Sequence, residues 1–387
     1  MIKNIININQ SHERLMSSEI KILISSDLHL GMQNQELGIP SRVRLNTFKK
    51  IVTLALEHDI LLIAGDFIDA DIIEDEILDQ IKTEFDNLRN SGIEIFYTPG
   101  VSEIKGRDVN EKILSLNATA IFAEYTEKPQ IYEKNENKLY IYGSPPSQKN
   151  DISKIKKISA DGFHIGLFYA DFDIDGTPEN SSIFKIPKNM IKSLSLDFYA
   201  LGYSHSFKMF KILNRIIGAY PGSPEPVSIN ETGDRYAISV SIMDNEIFHI
   251  KRLSVNSVKI NEIILNCTEY SSCEEIIEAI KQDQSKKIIE IVTLIGTRDF
   301  PLQLNQIKNL DKNFFDLRIN DKSSASIKSF INEFIDENSI RGEFYKILSE
   351  RLKENTPEGV DLENAAAIIN KIESGDNDSL EDWLCGF

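Results

Sequence analysis

The chain has 387 residues, a formal net charge of −17 at pH 7, 41% hydrophobic and 27% charged residues. That length supports a large core and more than one domain, and the acidic balance excludes a whole-surface nucleic-acid footprint while leaving room for a local basic groove. The three cysteines, Cys267, Cys273 and Cys385, show no metal-type pairing and no apolar run approaches the ~18 residues of a membrane span, so a reduced cytoplasmic chain is expected.

The first segment, MIKNIININQ, has one lysine and no long apolar stretch, so it does not read as a secretory signal. Residues 1–19 read as an extension, or the start is Met16. Residues 21–26 (KILISS) and 60–64 (ILLIA) read as buried strands, and 93–97 (IEIFY) as a third, stopped by Pro99-Gly100. Between them, Leu45, Phe48, Val52 and Ala55 share one helical face within 41–57. Ile73, Ile77, Ile81, Phe85 and Leu88 do so within 71–90. This alternation predicts a parallel sheet with right-handed crossovers. Further strands are expected at 139–143, 164–168, 198–201 and 216–220, and a hairpin at 236–242 and 246–253 around Asp244-Asn245. After residue 255 the character changes. Strands at 258–265 and 287–294 around a helix at 273–282 suggest a small α/β unit, and from 324 onward the pattern is helical. There, Ile327, Phe330, Ile331 and Phe334 recur at a spacing that suits either a partner's groove or the protein's own core. Residues 354–387 carry nine acidic side chains and one basic, which reads as a solvated acidic tail.

Three strand ends carry the chemistry. SSDLHLG puts Asp27 and His29 on one side of an extended segment, AGDFID places Asp66 after Gly65, and FYALGYSHSF delivers His205. Taken singly, Asp27 reads as a turn cap, Asp66 as a helix cap and His205 as a loop residue. Together, at successive strand ends of an α/β sheet, they read as the ligands of one divalent cation. Carboxylate plus imidazole suits manganese, iron or zinc better than magnesium or calcium.

SSDLHLG and then LLIAGDFID resemble the D-x-H … G-D-x-x-D signature of calcineurin-like metallophosphoesterases. FYALGYSHSF and then AYPGSPEP resemble the A-L-G-H-x-H … Y-P-G-S segment of one branch, the nuclease subunit of SbcCD-type DNA repair exonucleases. The likeness runs over about residues 21–254. It implies a four-layer α/β sandwich, two mixed sheets flanked by helices, over 20–255. A small α/β capping domain (256–323) and a helical C-terminal region (324–387) would come after it. It implies two manganese ions, and an SbcD-like subunit that acts on DNA beside an SMC-type (SbcC-like) coiled-coil ATPase, commonly as a homodimer and away from membranes.

Carried over residue by residue, the resemblance assigns the first metal to Asp27, His29, Asp66 and His205, all present. The second is different. Val101 stands at its asparagine, Tyr169 and Tyr203 at its two histidines, and Ser102 at the family's catalytic histidine. Valine has no lone pair to donate, neutral tyrosine is a poor ligand, and serine is no substitute for imidazole as a proton donor. Asp69, the second acid of G-D-x-x-D, and Glu103 stand as auxiliary candidates, and Asp171 and Asp173 lie close to Tyr169 in sequence. His164 falls on the opposite strand face from Tyr169 and reads as structural. The expectation is one retained ion, manganese first with iron, zinc or magnesium as other candidates, and hydrolysis reduced or lost. The rival expectations are an active phosphodiesterase or nuclease with a remodelled site, and a phosphate- or nucleotide-binding module.

Overall fold

The computed structural model describes residues 19–105, 108–146, 151–173 and 185–353. The N-terminal extension up to residue 18, the acidic segment 354–387 and Cys385 lie outside the described residues. The chain divides after Lys259 into two compact units.

The first unit's main strands are β1 (Ile20–Ser25), β2 (Ile60–Ala64), β3 (Glu94–Thr98), β4 (Ala120–Ile121), β5 (Gln130–Lys134), β6 (Asn137–Ser144), β7 (Phe163–Tyr169), β8 (Phe198–Gly202), β9 (Lys208–Ile212), β10 (Arg215–Tyr220), β11 (Tyr236–Met243) and β12 (Glu246–Ser254). Its main helices are α1 (Ser41–Ala55), α2 (Asp75–Asn90) and α3 (Lys188–Leu194). One six-stranded sheet runs β12-β11-β1-β2-β3-β4 and the other β9-β10-β8-β7-β6-β5. The β1–β2 and β2–β3 pairs are parallel, as the strand–helix alternation predicts, and β11–β12 is an antiparallel hairpin.

The apolar strands are buried on both faces, and their alternation sorts the layers. Leu23, Leu61, Ile63, Ile95 and Tyr97 face a cluster shared with Phe48 and Val52 of α1 and Ile81 and Phe85 of α2. Ile22, Ile24, Ile60, Leu62 and Phe96 point the other way, into a cluster with Ile141, Ile165, Leu167 and Phe198 of the second sheet. That sheet's outer face, with Tyr142, Phe168 and Tyr199, packs on Ile191 and Leu194 of α3. The result is the helix–sheet–sheet–helix sandwich that the sequence resemblance implies.

Two differences from the sequence reading are physical. The second helix starts at Asp75 rather than 71, because Asp69 turns the chain first: its carbonyl accepts from the backbone N–H groups of Ile72 and Ile73. Strands β5 and β9 escape the apolar-run criterion because they are sheet edges, interrupted by polar residues and exposed over most of their length.

The second unit contains a three-stranded sheet, β13 (Lys259–Asn266), β14 (Ile288–Ile295) and β15 (Asp316–Asp321), with β14 central. Helix α4 (Cys273–Lys281) lays Ile276, Ile277 and Ile280 against Val292 and Leu294. Its start is fixed by Ser272, which accepts from the Glu275 N–H, and by acidic Glu274 and Glu275 in the first turn. Helices α5 (Ile327–Phe334) and α6 (Ile340–Lys353) pack on each other: Ile327 and Ile331 meet Tyr345 and Leu348, and the Phe334 and Tyr345 rings stack 5.5 Å apart. The apolar face of α5, read as suited to a partner groove or to the protein's own core, closes its own core.

Phe85 links the first layer to the loop that carries Asp66. It is fully buried, its ring lies 5.6 Å from that of Phe67, and Phe67 lies 5.2 Å from Phe48. Phe85→Ala opens a cavity there and is expected to lower unfolding free energy by about 3–5 kcal/mol, measurable by urea denaturation. A loss below about 1 kcal/mol would show that the layer collapses around the missing ring.

Candidate metal centre

The centre lies where β1, β2, β3 and β8 end. Beyond β1 and β2 the two chains stay zipped: Asp27 N–H donates to the Gly65 carbonyl, His29 N–H to that of Asp66, and Leu30 N–H to that of Phe67, each at 2.9 Å. Asp27, His29 and Asp66 all adopt left-handed backbone, with φ of 51°, 50° and 44°. Aspartate and histidine tolerate this region better than most residues, and three such residues together mark strain that the surrounding structure holds in place. Part of that hold comes from Arg44 of α1, buried, whose guanidinium donates to the Leu28 carbonyl at 3.2 Å and to the Pro226 carbonyl at 2.8 Å.

Three of the four expected ligands come together: one ligand atom from each of Asp27, His29 and His205 lies within 4.8 Å of the others. The His29 and His205 rings meet edge-on at 5.4 Å. The Nδ1 of His29 pairs with Asp69 at 2.8 Å, while its Nε2 is buried with no hydrogen-bond partner. A buried, unpartnered imidazole nitrogen is costly unless something binds it. With Asp27 and His205 beside it, the donor set fits a divalent cation. Asp69 is therefore an orienting residue for a histidine ligand, not a ligand itself.

The site's charges press on one another. Burial, and then the negative charge of Asp66, push the Asp27 carboxyl up to about 6. Burial disfavours the charged form of His29, but its bond to Asp69 and the nearby carboxylates outweigh this and raise its pKa. A cation between these groups relieves the repulsion that the carboxylates would otherwise carry.

Asp66 stands apart from the three-residue group. Its Oδ1 accepts the Ser102 N–H at 2.8 Å and lies 2.8 Å from the Ser102 hydroxyl; its Oδ2 accepts the Tyr169 O–H at 2.7 Å. A carboxylate has about four acceptor sites, so three donors leave Asp66 one for a metal. Tyr169 is buried, and burial together with the charge of Asp66 holds its phenol protonated far above the usual range. It is a donor here, not a tyrosinate ligand. Its ring lies against Gly65, where a Cβ would come within 2.3 Å of it and where φ is +77°. Tyr203 meets Tyr169 edge-on at 5.6 Å, and its N–H donates to Asp27 at 3.0 Å. Val101 is 45% exposed and offers no polar side-chain atom.

Glu103, an auxiliary candidate in the sequence, points into a cluster of hydrogen-bond donors and does not join the three-residue group. Its Oε1 accepts the N–H groups of Phe67 (2.7 Å) and Ile68 (2.8 Å) and the Tyr97 hydroxyl, and its Oε2 accepts the Gly100 N–H at 2.6 Å. It is a buried strut between the second and third loops. Burial, then Asp66, push its carboxyl up to about 7. Asp173 pairs with Lys185 at 2.9 Å, and neither it nor Asp171 joins the three-residue group. His164 is buried, bonded to the Tyr142 hydroxyl and the Ala160 carbonyl, and structural. Sequence reasoning missed Arg44, Glu231 and Arg235, which touch the site from behind. They lie outside the ligand motifs, and only tertiary packing brings them there.

Residues 20–187 match the model of the calcineurin-like phosphoesterase family. The match includes Asp27, His29, Asp66 and Tyr169 and stops before His205. A curated relative, the uncharacterized metallophosphoesterase YhaO of Bacillus subtilis (strain 168), is 22% identical over 246 residues, or 60% of each chain. The chain therefore spans 60% of the length of that relative. One solved crystal structure aligns over 62% of this chain and all of its own at 13% identity with a TM-score of 0.36, a likeness too low to carry an argument. The family model and the relative support a metallophosphoesterase assignment. No helix among the described residues is long and apolar enough to cross a membrane.

If Glu103 is a strut, Glu103→Gln removes acceptor capacity from a buried cluster of donors. It is expected to lower stability by about 1–3 kcal/mol without changing the number of manganese ions bound per folded chain. A lost ion at unchanged stability would make Glu103 a ligand.

Proposed function

We propose that this calcineurin-like phosphoesterase domain holds a single divalent cation, and that the place of a second is taken by the protein's own hydrogen-bond donors. The observation that carries this reading is the bond from the protonated Tyr169 phenol to Asp66 Oδ2, with Ser102 at Oδ1. In the two-metal pattern that the sequence resembles, Asp66 bridges both ions. Here its outward lone pairs meet N–H and O–H groups instead.

Asp27, His29 and His205 would hold the ion, with the remaining acceptor site of Asp66. Manganese is the expected occupant, with iron, zinc or magnesium as the other candidates. When bound, the ion supplies Lewis-acid polarisation of a phosphoryl oxygen. Ser102 and Tyr169 hold Asp66 in place and exclude solvent from its far side. Neither is matched to proton transfer to a leaving group near neutral pH. Missing one metal removes half of a two-metal clamp, and a missing general acid alone typically costs ~10²–10⁴ in rate. Phosphodiester hydrolysis is therefore reduced or lost.

The wider role comes from the resemblance. The protein acts as an SbcD-like, cytoplasmic subunit, a homodimer as is common in that branch, in a DNA-processing complex with an SMC-type coiled-coil ATPase. Because the apolar face of α5 is covered by α6, the ATPase would engage another surface. Co-expression with such an ATPase should yield a co-purifying complex, and clean separation on size exclusion would remove the partner from this reading.

Elemental analysis after manganese loading is expected to give at most about one ion per chain; two tightly bound ions refute the single-cation reading. Manganese-dependent cleavage of linear DNA or of a bis-aryl phosphodiester should be weak or absent. Cleavage on the order of 1 per second or faster, abolished by Asp27→Ala or His205→Ala, would establish a working remodelled site. The combined change Val101→Asn, Ser102→His, Tyr169→His and Tyr203→His should bind a second ion and gain activity.

A further inference from the structure

We infer that Glu231 is a positioning residue for His205: with Arg235 and Ser223 it fixes that histidine's ring and backbone so that Nε2 is the nitrogen left to meet a cation. The inference rests on the single-cation reading and adds a residue that lies in none of the ligand motifs.

The need for such a residue comes from where His205 sits. It is in the irregular loop between β8 and β9, its side chain is 31% exposed, and Tyr203 two residues earlier has φ of 108°. Nothing in local secondary structure sets its ring. A side chain on such a loop samples several rotamers unless outside contacts remove them.

Those contacts are present and concentrated. Glu231 Oε1 lies 3.0 Å from His205 Nδ1. A carboxylate only accepts, so Nδ1 carries the hydrogen, and in the neutral ring Nε2 then holds the lone pair. Glu231 is itself held. Its Oε2 accepts from the Ser223 hydroxyl (2.9 Å), the Val227 N–H (3.0 Å) and the Arg235 guanidinium (3.0 Å). The same partners grip the histidine's backbone: its carbonyl accepts from the Ser223 N–H at 3.1 Å and from Arg235 Nη2. Arg235 also reaches the Ser223 carbonyl through Nε at 2.9 Å. Ser223 and Arg235 are buried, so the frame is fixed by packing. A plain Glu231–Arg235 ion pair would need no contact with His205. Here one carboxylate and one guanidinium meet both the ring nitrogen and the carbonyl of the same residue. His29 has the matching arrangement with Asp69, so each histidine of the centre has one carboxylate on Nδ1.

Outer carboxylates of this kind typically change metal affinity by 10–100-fold. The experiment uses the full chain and manganese alone. In metal-free wild-type protein labelled with nitrogen-15 histidine, His205 is expected as the Nδ1–H tautomer at pH 8, and an Nε2–H ring overturns the inference. Manganese titration should show Glu231→Ala weakened about 10–100-fold with an unchanged circular dichroism spectrum. A folded Glu231→Ala protein within about threefold of wild type overturns it. If that variant does not fold, Glu231→Gln decides by the same titration, because its amide cannot accept from His205 and from Ser223 and Arg235 together. Wild-type protein that binds no manganese removes the single-cation reading and this inference with it. Wild-type binding left unmoved by the Glu231 variants removes this inference alone.

Discussion

Three carboxylates, those of Asp27, Asp66 and Glu103, are buried close together, and the repulsion among them is what the rest of the centre is arranged around. Each needs a partner that is not water. Glu103 has three backbone N–H groups and a phenol. Asp66 has Ser102 and Tyr169. Asp27 has the Tyr203 N–H, and its carboxyl is still pushed up. The Asp27 and Glu103 carboxyls are both pushed up by burial and by Asp66, but only Asp27 lies beside the unpartnered His29 Nε2 and His205. The donor geometry there, more than charge, suits a cation on that side of Asp66.

The sandwich makes this crowding tolerable. Strands β1 and β2 are apolar on both faces and cannot shift without disturbing two cores at once. Their ends are thereby fixed, and the loops beyond them continue to bond to one another. Left-handed backbone at Asp27, His29 and Asp66 is a local cost of order 1–3 kcal/mol each, and such a rigid frame can carry it. Arg44 extends the frame by tying the Leu28 carbonyl to the Pro226 segment.

Much of this was legible in the sequence, for reasons that differ by element. Doubly buried strands such as ILLIA announce themselves, and the helices between them do so by the spacing of Phe48, Val52, Ile81 and Phe85. Asp27, His29 and His205 could be read because their motifs place them at strand ends. The edge strands β5 and β9 could not, since most of their residues face solvent. The role of Glu103 was not legible because sequence gives a side chain's address but not its direction: it is near the altered positions and turned toward backbone N–H groups. Glu231 left no signal at all. Its neighbours in SINETG carry no periodicity, and only the fold brings it to His205.

The contact between Tyr169 and Gly65 reaches beyond chemistry. Any side chain at 65 larger than hydrogen would overlap the tyrosine ring, and the backbone there is left-handed. A tyrosine at 169 is therefore admissible only in a sequence that already has glycine at 65. The D-x-H … G-D framework, laid down for binding a metal, supplies that glycine whichever residue stands at 169. Replacing Gly65 would displace the Tyr169 ring, so positions 65 and 169 form one steric unit, and a change at either is constrained by the other.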